Sequence, residues 1–533
     1  MPTPEHVKSI FSGVLESSSA KNVARSLAVG ALVGIGLRGM QSIATMVAWR
    51  LKLRDSETGE PAPGPPPLPF IGNVLSLRTG YYETLYKYVD KPASVFWVMS
   101  TPFVVLNDEE GLRRVLGGSN GLYAKPKYFG YRSKAVKNAV AVEQKTVEKE
   151  SLEYKNDGDT SRVALENMVI DSLWTMKVAM NELLTLLAEA SEEVAADKAT
   201  SGTAVLSSVR TAIVKLNLDV LFDLTDSSIG PSKAEDISSM IGFAGMEFAR
   251  RMVNPFKALV DIPGNVRYFG DVMGLISFGR RLCRVLDDTA EEREGLESAP
   301  EAEAVKSTAG LSWVHAWVGK VGKIGKLGKV VGLLMASTQT VPLTAVWMLH
   351  LVANDDGVRS QLREELHGIS VRSACDLQYD DLGKLPLADA VVKETLRLYP
   401  PFPLIQREAQ GADVLCGITI PAGTPVYVVP WLVHRNPKLW SDADSFKPRR
   451  FLENASHGDA PSDWAFLPFG RGVRMCAGSK LALTELKVLL VHAVLEYDIV
   501  SEGRAMGRGS RFPELGMIPE GIDMRVRKKT RGR

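Results

Sequence analysis

Phe469-Gly-Arg-Gly-Val-Arg-Met-Cys-Ala-Gly478 sets one cysteine, Cys476, among three glycines, and the run Ser479 to Glu496 follows directly. In that run Ala482, Leu486, Leu489, Leu490 and Ala493 share one face at helical spacing, so the glycine-rich stretch reads as a loop that opens a helix. A cysteine placed there faces backbone N–H groups and the positive end of the helix dipole, which favours its thiolate. A thiolate seeks a metal or an electrophile. Arg474, two residues before the cysteine, is placed to neutralise a carboxylate, and Phe469 to cover the sulfur against water. Taken alone, the segment reads rather as a tight turn around a buried structural cysteine.

Two further segments lie upstream. Glu394-Thr-Leu-Arg397 puts an acid and an arginine three residues apart on a helix ended by Pro400-Pro401, and residues at that spacing share a face and can pair. Phe446-Lys-Pro-Arg-Arg-Phe451 brings a second arginine, Arg450. Glu-x-x-Arg by itself occurs by chance in many helices. The three segments together resemble, in order and spacing, the motifs of the cytochrome P450 superfamily. The haem-binding pattern F-x-x-G-x-R-x-C-x-G is met at Phe469, Gly472, Arg474, Cys476 and Gly478. The helical E-x-x-R is met at Glu394 and Arg397, and F-x-P-x-R-F at Phe446 to Phe451. The similarity runs from the proline-rich stretch near residue 61 to the C-terminus.

The resemblance implies a mainly α haem-thiolate fold with small β-sheets and an N-terminal membrane anchor. It implies that Cys476 is the axial ligand of the iron of haem b, where a thiolate pushes electron density onto the metal and favours O–O cleavage. Phe469, Gly472 and Gly478 would bound the haem. Arg407 and Arg474 would pair with its propionates, a task suited to a side chain that is always charged and binds carboxylate in a bidentate way. Glu394, Arg397 and Arg450 would be structural, locking the ligand loop. The implied activity is a monooxygenase: one oxygen atom from O2 enters a sterol-, terpenoid- or lipid-like substrate, with electrons from NADPH through an NADPH-cytochrome reductase. Arg471, Lys480 and Lys487 read either as a basic rim for an acidic reductase or as ordinary surface charge.

Two features depart from the family pattern. The early-helix W-x-x-x-R is missing: Val178 stands four residues after Trp174, and the one fit, Trp431 to Arg435, falls late, in a region that reads as strand. On the long apolar helix around Val330 to Val352, Ala336-Ser-Thr-Gln-Thr340 stands where the family has A-G-x-[DE]-T. Thr340 would stabilise oxygen and order water, but Gln339 replaces the acid, and an amide cannot relay a proton by ionising. Pro342 follows within a turn and is expected to kink the helix. The pattern with Trp347 resembles the steroid 7α-hydroxylase and prostacyclin synthase branch, which holds oxygenases and also isomerases that use no external oxygen. Three readings therefore stand: a monooxygenase, a haem-thiolate isomerase or dehydratase, and a non-catalytic haem binder.

The remainder of the chain bounds these readings. With 533 residues and 45% hydrophobic composition it is large and globular in composition. Lys plus Arg is 64 against 62 for Asp plus Glu, a balance that argues against a nucleic-acid partner. Cys283, Cys375, Cys416 and Cys476 are too few and scattered for a disulfide framework, and no C-x-x-C pair offers a zinc site. Gly117-Gly-Ser-Asn-Gly121 fits G-x-S-x-G but lacks the preceding strand that a nucleophile elbow requires. The glycines at 319, 322, 325 and 328 are each followed by Lys with no Ser or Thr after it, so they form no phosphate loop; they read as a flexible basic entry to the next helix. Ser26 to Trp49 is long and apolar enough to span a bilayer, which takes roughly 20 residues. Arg50, Lys52 and Arg54 would keep its far end cytosolic. An amphipathic surface helix or a mitochondrial targeting segment is the other reading. The expected organisation is an anchor over 1–54, a proline-rich hinge over 55–75 and a catalytic domain over 76–533. The expected site is the endoplasmic reticulum membrane, with mitochondria as the alternative. Leu122–Asn138 and Ile241–Phe256 are the expected substrate-lining segments.

Overall fold

A computed structural model describes residues 40–118, 121–125, 166–193, 200–224, 231–253, 262–296, 313–315, 318, 323–402, 404–453, 462–503, 519 and 521–529. Helices dominate. Long ones are α1 (Leu173–Glu193), α2 (Gly202–Phe222), α3 (Pro231–Val253), α4 (Ile262–Leu296) and α5 (Lys323–Ala353). Shorter ones are α6 (Asp356–Gly368), α7 (Pro386–Leu398) and α8 (Ser479–Glu496). Helix α5 is apolar on nearly every side, so burial is the only favourable place for it. It packs against α2, α4, α7 and α8 at the centre of the main core. Its glycine–lysine start is helical from Lys323 onward rather than a flexible entry. Pro342 sits inside a helix that continues through Ala353; lacking an N–H, it leaves the carbonyl one turn back without a helical donor.

A five-stranded sheet forms the other side. Its strands are β1 (Ala93–Val98), β2 (Thr101–Leu106), β3 (Tyr123–Ala124), β4 (Ile405–Ala409) and β5 (Pro425–Val428), in the spatial order β1-β2-β5-β4-β3. The β2–β5 pair is parallel, with Val104 opposite Val426; the other pairs are antiparallel. A smaller three-stranded sheet joins Thr200–Ser201, Ile522–Lys528 and Tyr497–Gly503. The region of Trp431 to Arg435, which reads as strand in the sequence, is not one: β5 stops at Val428 and Pro430–Val433 is a short helix, its first residue a proline whose missing N–H costs nothing there. Trp431 and Arg435 therefore belong to a helical turn, not a strand.

The proline-rich stretch lies against the sheet. Val95 N–H donates to Pro63 O at 2.7 Å. Asn73 pins the run from its other end, donating to Pro66 O at 3.2 Å and accepting from Trp97 N–H at 2.9 Å. Gly64 meets β1 so closely that a Cβ would stand 2.0 Å from Val95 O. Upstream, residues 40–52 are helical and turn Met40, Ile43, Val47 and Leu51 outward. The rest of the Ser26–Trp49 stretch lies outside the described residues. Among the described residues one helix is long and apolar enough to cross a membrane, and it is α5, over half buried in the core.

Candidate active site

The loop before α8 is built by glycine geometry. Gly470 and Gly472 have positive φ, 71° and 76°. Gly472 also meets the helix Glu109–Gly117 so tightly that a Cβ would stand 2.0 Å from Leu116 O. The loop closes on itself where Cys476 N–H donates to Phe469 O at 3.0 Å. Helix α8 starts after Gly478, as expected.

Behind the loop lies a fully buried ionic lock. Glu394 and Arg397, one turn apart on α7, pair through Nε–Oε2 at 2.7 Å and Nη2–Oε1 at 2.8 Å. Arg450 Nε adds a third contact to Glu394 Oε1 at 3.2 Å, and Lys447 N–H a fourth at 2.8 Å. Arg397 spends its remaining donors on the carbonyls of His434, Ala443 and Ser445. The lock reaches the cysteine loop through a residue that sequence reading missed. His434 Nδ1–H donates to Arg397 O at 3.2 Å, and its Nε2 accepts from Leu467 N–H at 3.0 Å, two residues before Phe469. This pairing requires a neutral ring. Burial, with the charges of Arg397 and Arg435, pushes its pKa down to about 3.

A cavity of about 590 Å³ opens between the loop, α5, α2 and β4. Cys476, Phe469, Arg474, Gly478, Arg407 and Thr340 all line it. Gly472 does not; its place is against Leu116. Cys476 is solvent-accessible by surface area, but that surface faces the cavity and protein surrounds it. Burial pushes its thiol up, opposed by Gly478 N–H. The thiolate expected from the loop and helix dipole is thus not favoured by the protein alone; it needs a cation at the sulfur. At the cavity wall Arg407 is buried on β4, and burial together with the charge of Arg474 lowers it to about 10. Two arginines that repel one another across a cavity invite an anion. Gly478 would project a Cβ into open space on the same wall, leaving a flat face.

The two α5 residues expected on the oxygen side divide. Thr340 lines the cavity, with Oγ1 donating to Ala336 O at 3.1 Å. Gln339 does not line it: it is buried, and Nε2 donates to Ile241 O of α3 at 2.5 Å. That amide ties two helices together. The basic rim is also partly spent within the chain. Arg471 meets Asp463 at 3.4 Å, Lys480 meets Glu166 at 2.5 Å, and Lys487, mostly buried, meets Asp389 at 3.5 Å. Of the expected substrate segments, Lys125 lines the cavity, whereas Ile241 does not line it and meets α5 through Gln339; residues 126–138 and 254–256 lie outside the described residues. Much of the apolar wall comes instead from α2, α5 and the stretch between α7 and β4, through Leu221, Val341, Phe402 and Leu404. The late Trp431–Arg435 pair is structural: Arg435 stacks on Trp431 at 5.1 Å and pairs with Asp444 at 2.6 Å.

Residues 326–526 match the family model described as cytochrome P450. The chain is 28% identical to human sterol 26-hydroxylase, mitochondrial, over 53% of each chain. It is 40% identical to cytochrome P450 714C2 of Oryza sativa subsp. japonica over 29% of each. With 5-epiaristolochene 1,3-dihydroxylase of Nicotiana tabacum it shares 36% identity over 36% of this chain and 37% of that one. The matched region spans about half the length of the first relative and about a third of the other two.

Proposed function

We propose that this chain, whose residues 326–526 match the cytochrome P450 family model, is a haem-thiolate monooxygenase acting on a hydrophobic substrate. The family implies haem, and the residues fit it. One cavity carries a single thiol, a repelling arginine pair and a glycine-lined face, which are the donor, the counter-charges and the flat seat that an iron porphyrin dicarboxylate requires. Cys476 would ligate the iron, Arg407 and Arg474 would hold the propionates, and Phe469 and Gly478 would flank the macrocycle. Glu394, Arg397, Arg450 and Gly472 would act at a distance, by fixing the loop. Haem bound there supplies the chemistry that reduces O2 and transfers one oxygen atom to carbon. Thr340 holds a hydroxyl at the cavity wall, and the apolar wall excludes bulk water and takes a nonpolar substrate. The observation that carries the reading is the shared cavity of Cys476, Arg407, Arg474 and Thr340.

The apolar wall and the relatives' names, a sterol 26-hydroxylase and a 5-epiaristolochene 1,3-dihydroxylase, support a sterol-, terpenoid- or lipid-like compound as substrate. Electrons would come from NADPH through an NADPH-cytochrome reductase. Residues 1–54 would hold the protein on a membrane, that of the endoplasmic reticulum with the catalytic domain over 76–533 in the cytosol; the outward stripe of Met40, Ile43, Val47 and Leu51 supports this. Proline-rich residues 55–75 would set the body's angle to that membrane. Reduced protein with carbon monoxide tests the ligand: a red-shifted Soret band is expected, and Cys476→Ala abolishes it. A haem-loaded wild type without that band overturns the assignment. Labelled oxygen from O2 in the product, dependent on reductase, is expected. Product formed without NADPH or O2 would favour the isomerase reading that Gln339 raises.

A further inference from the structure

Among the described residues a second cavity shares none of the lining of the site above. It is a half-open groove of about 350 Å³ between the helix over residues 40–52, the proline-rich run and β1. That size falls in the range of about 300–1,000 Å³ that small-molecule sites occupy. Its walls are Leu53, the prolines between 61 and 67, Val95 and Trp97. The walls are held in place before anything binds, because Gly64 seats against Val95 and Asn73 pins the far end of the run.

The groove offers few hydrogen-bonding groups. Proline has no N–H, and Ala62 N–H is spent on Leu53 O at 3.4 Å. The carbonyls of Pro63 and Pro66 are taken by Val95 N–H and the Asn73 amide. One charged residue lines the groove: Arg50, an exposed side chain of the helix. Asp55, Glu57 and Glu60 follow it in sequence but line no part of the groove. Asp55 Oδ1 is occupied by the N–H groups of Glu57 at 3.0 Å and Thr58 at 2.8 Å. An apolar trough with a single cation fits a molecule that is apolar and carries one anionic group. Arg50 stands seven residues after Ile43 and three after Val47, so it shares the face that carries the outward apolar stripe. An anion therefore reaches it from the surface that this stripe meets. Guanidinium also matches phosphate oxygens with two parallel hydrogen bonds.

We propose that this groove binds one anionic phospholipid, its phosphate on Arg50 and an acyl chain along the prolines and Trp97. The proposal rests on the membrane reading of residues 1–54 and goes beyond it. The outward stripe meets lipid of any headgroup, whereas the groove selects an anionic one. Lipid seated there touches the helix, the proline run and β1 at once, and so ties the last turns of the anchor segment to the body.

The test uses the full-length haem-loaded chain with vesicles of phosphatidylcholine, or of phosphatidylcholine mixed with phosphatidylserine. Wild type should cosediment more tightly with the mixed vesicles. Arg50→Gln should weaken that binding about thirtyfold, the scale of lost hydrogen bonds to a charged group. Lys52→Gln, an equal loss of charge outside the groove, should weaken it only about fivefold. Ala62→Phe, whose ring fills the groove and leaves the charge unchanged, should weaken it about tenfold, the worth of roughly two buried methylenes. Its binding to phosphatidylcholine alone should not change. Phosphatidylserine brominated in its acyl chains should quench a part of the tryptophan fluorescence that Trp97→Phe lacks. Equal losses in Arg50→Gln and Lys52→Gln would mean diffuse surface charge and overturn the proposal. A preference for mixed vesicles that Ala62→Phe keeps, or quenching that Trp97→Phe leaves unchanged, overturns it too. If Ala62→Phe does not fold, the exposed pair Arg50 and Lys52 decides. Wild type that binds both vesicles equally overturns this proposal alone; wild type that binds neither overturns the membrane reading with it.

Discussion

At Glu394 four donors converge on one buried carboxylate, and at Arg397 every guanidinium nitrogen is engaged. Removing one partner of such a pair leaves an uncompensated buried charge, which costs about 3–5 kcal/mol. Arg397→Leu is expected to lower stability by that amount in denaturant unfolding followed by circular dichroism. The pH response has two limbs. His434 falls from 6.5 to about 3 on folding, so its contribution is full above pH 6.5 and is lost as pH falls from there toward 3. Burial on α8 raises Glu485 from 4.5 to about 8, so its contribution is full below pH 4.5 and is lost as pH rises through 8. Melting temperatures across pH should show the acid limb flatten in His434→Gln and the alkaline limb flatten in Glu485→Gln. Glu394, Arg397 and Arg450 were legible because helix spacing and a short motif announce a pair. His434 was not, because its role depends on Leu467 and Arg397, which only the folded chain brings to it. Cys476 was legible as a position, but its protonation was not: desolvation outweighs the loop's N–H groups, and desolvation has no local sequence signal.

The elements tell a similar story. The turns that hold Cys476 follow from Gly470 and Gly472, whose positive φ only glycine adopts without strain. Gly472→Ala would push Leu116 O away from a Cβ placed 2.0 Å from it. Haem content and the reduced carbon monoxide band should drop while far-ultraviolet circular dichroism is kept, because the lock on α7 and the helices of the core are untouched. Helix α5 was legible as a buried helix from its unbroken apolar run. Its residue Gln339 was legible as a departure but not as a tie between α5 and α3, since Ile241 is distant in sequence. Gln339→Leu removes a side-chain donor from Ile241 O, a carbonyl within α3, at a net cost of about 0.5–1.5 kcal/mol. Thermal unfolding should show that loss. The oxygen-uptake rate should stay near that of wild type, since the amide faces α3 and not the cavity. A hundredfold loss of uptake in this variant would show that Gln339 acts in the reaction and not only as a tie between helices. The short helix after β5 was misread as strand because Val426–Val429 carries β-branched residues straight into Pro430, where only the backbone turn decides.

At the scale of the whole molecule, one outward apolar stripe lies on the helix over residues 40–52. Met40, Ile43, Val47 and Leu51 recur at helical spacing on the outer face of residues 40–52, while Met46, Trp49 and Leu53 turn inward onto the sheet. One face of this helix thus belongs to the body and the other to its surroundings. The docked proline run that follows fixes the helix to β1, so the outward stripe is held at a set angle. The sequence read this region as one membrane-spanning stretch ending at Trp49. That reading could not divide the last turns between core and exterior, because Met46 and Val47 are equally apolar and only packing separates them. The division is testable. Changing Ile43, Val47 and Leu51 together to Glu should leave the melting temperature and the reduced carbon monoxide band unchanged, since the side chains touch no core. The same change removes apolar area worth roughly 1.5–3 kcal/mol per fully buried side chain from any contact with lipid. Cosedimentation with phospholipid vesicles should fall accordingly, whereas Met46→Glu should lower stability first, because it strikes the inward face. Unchanged cosedimentation of the triple variant would place the membrane contact elsewhere than on this helix.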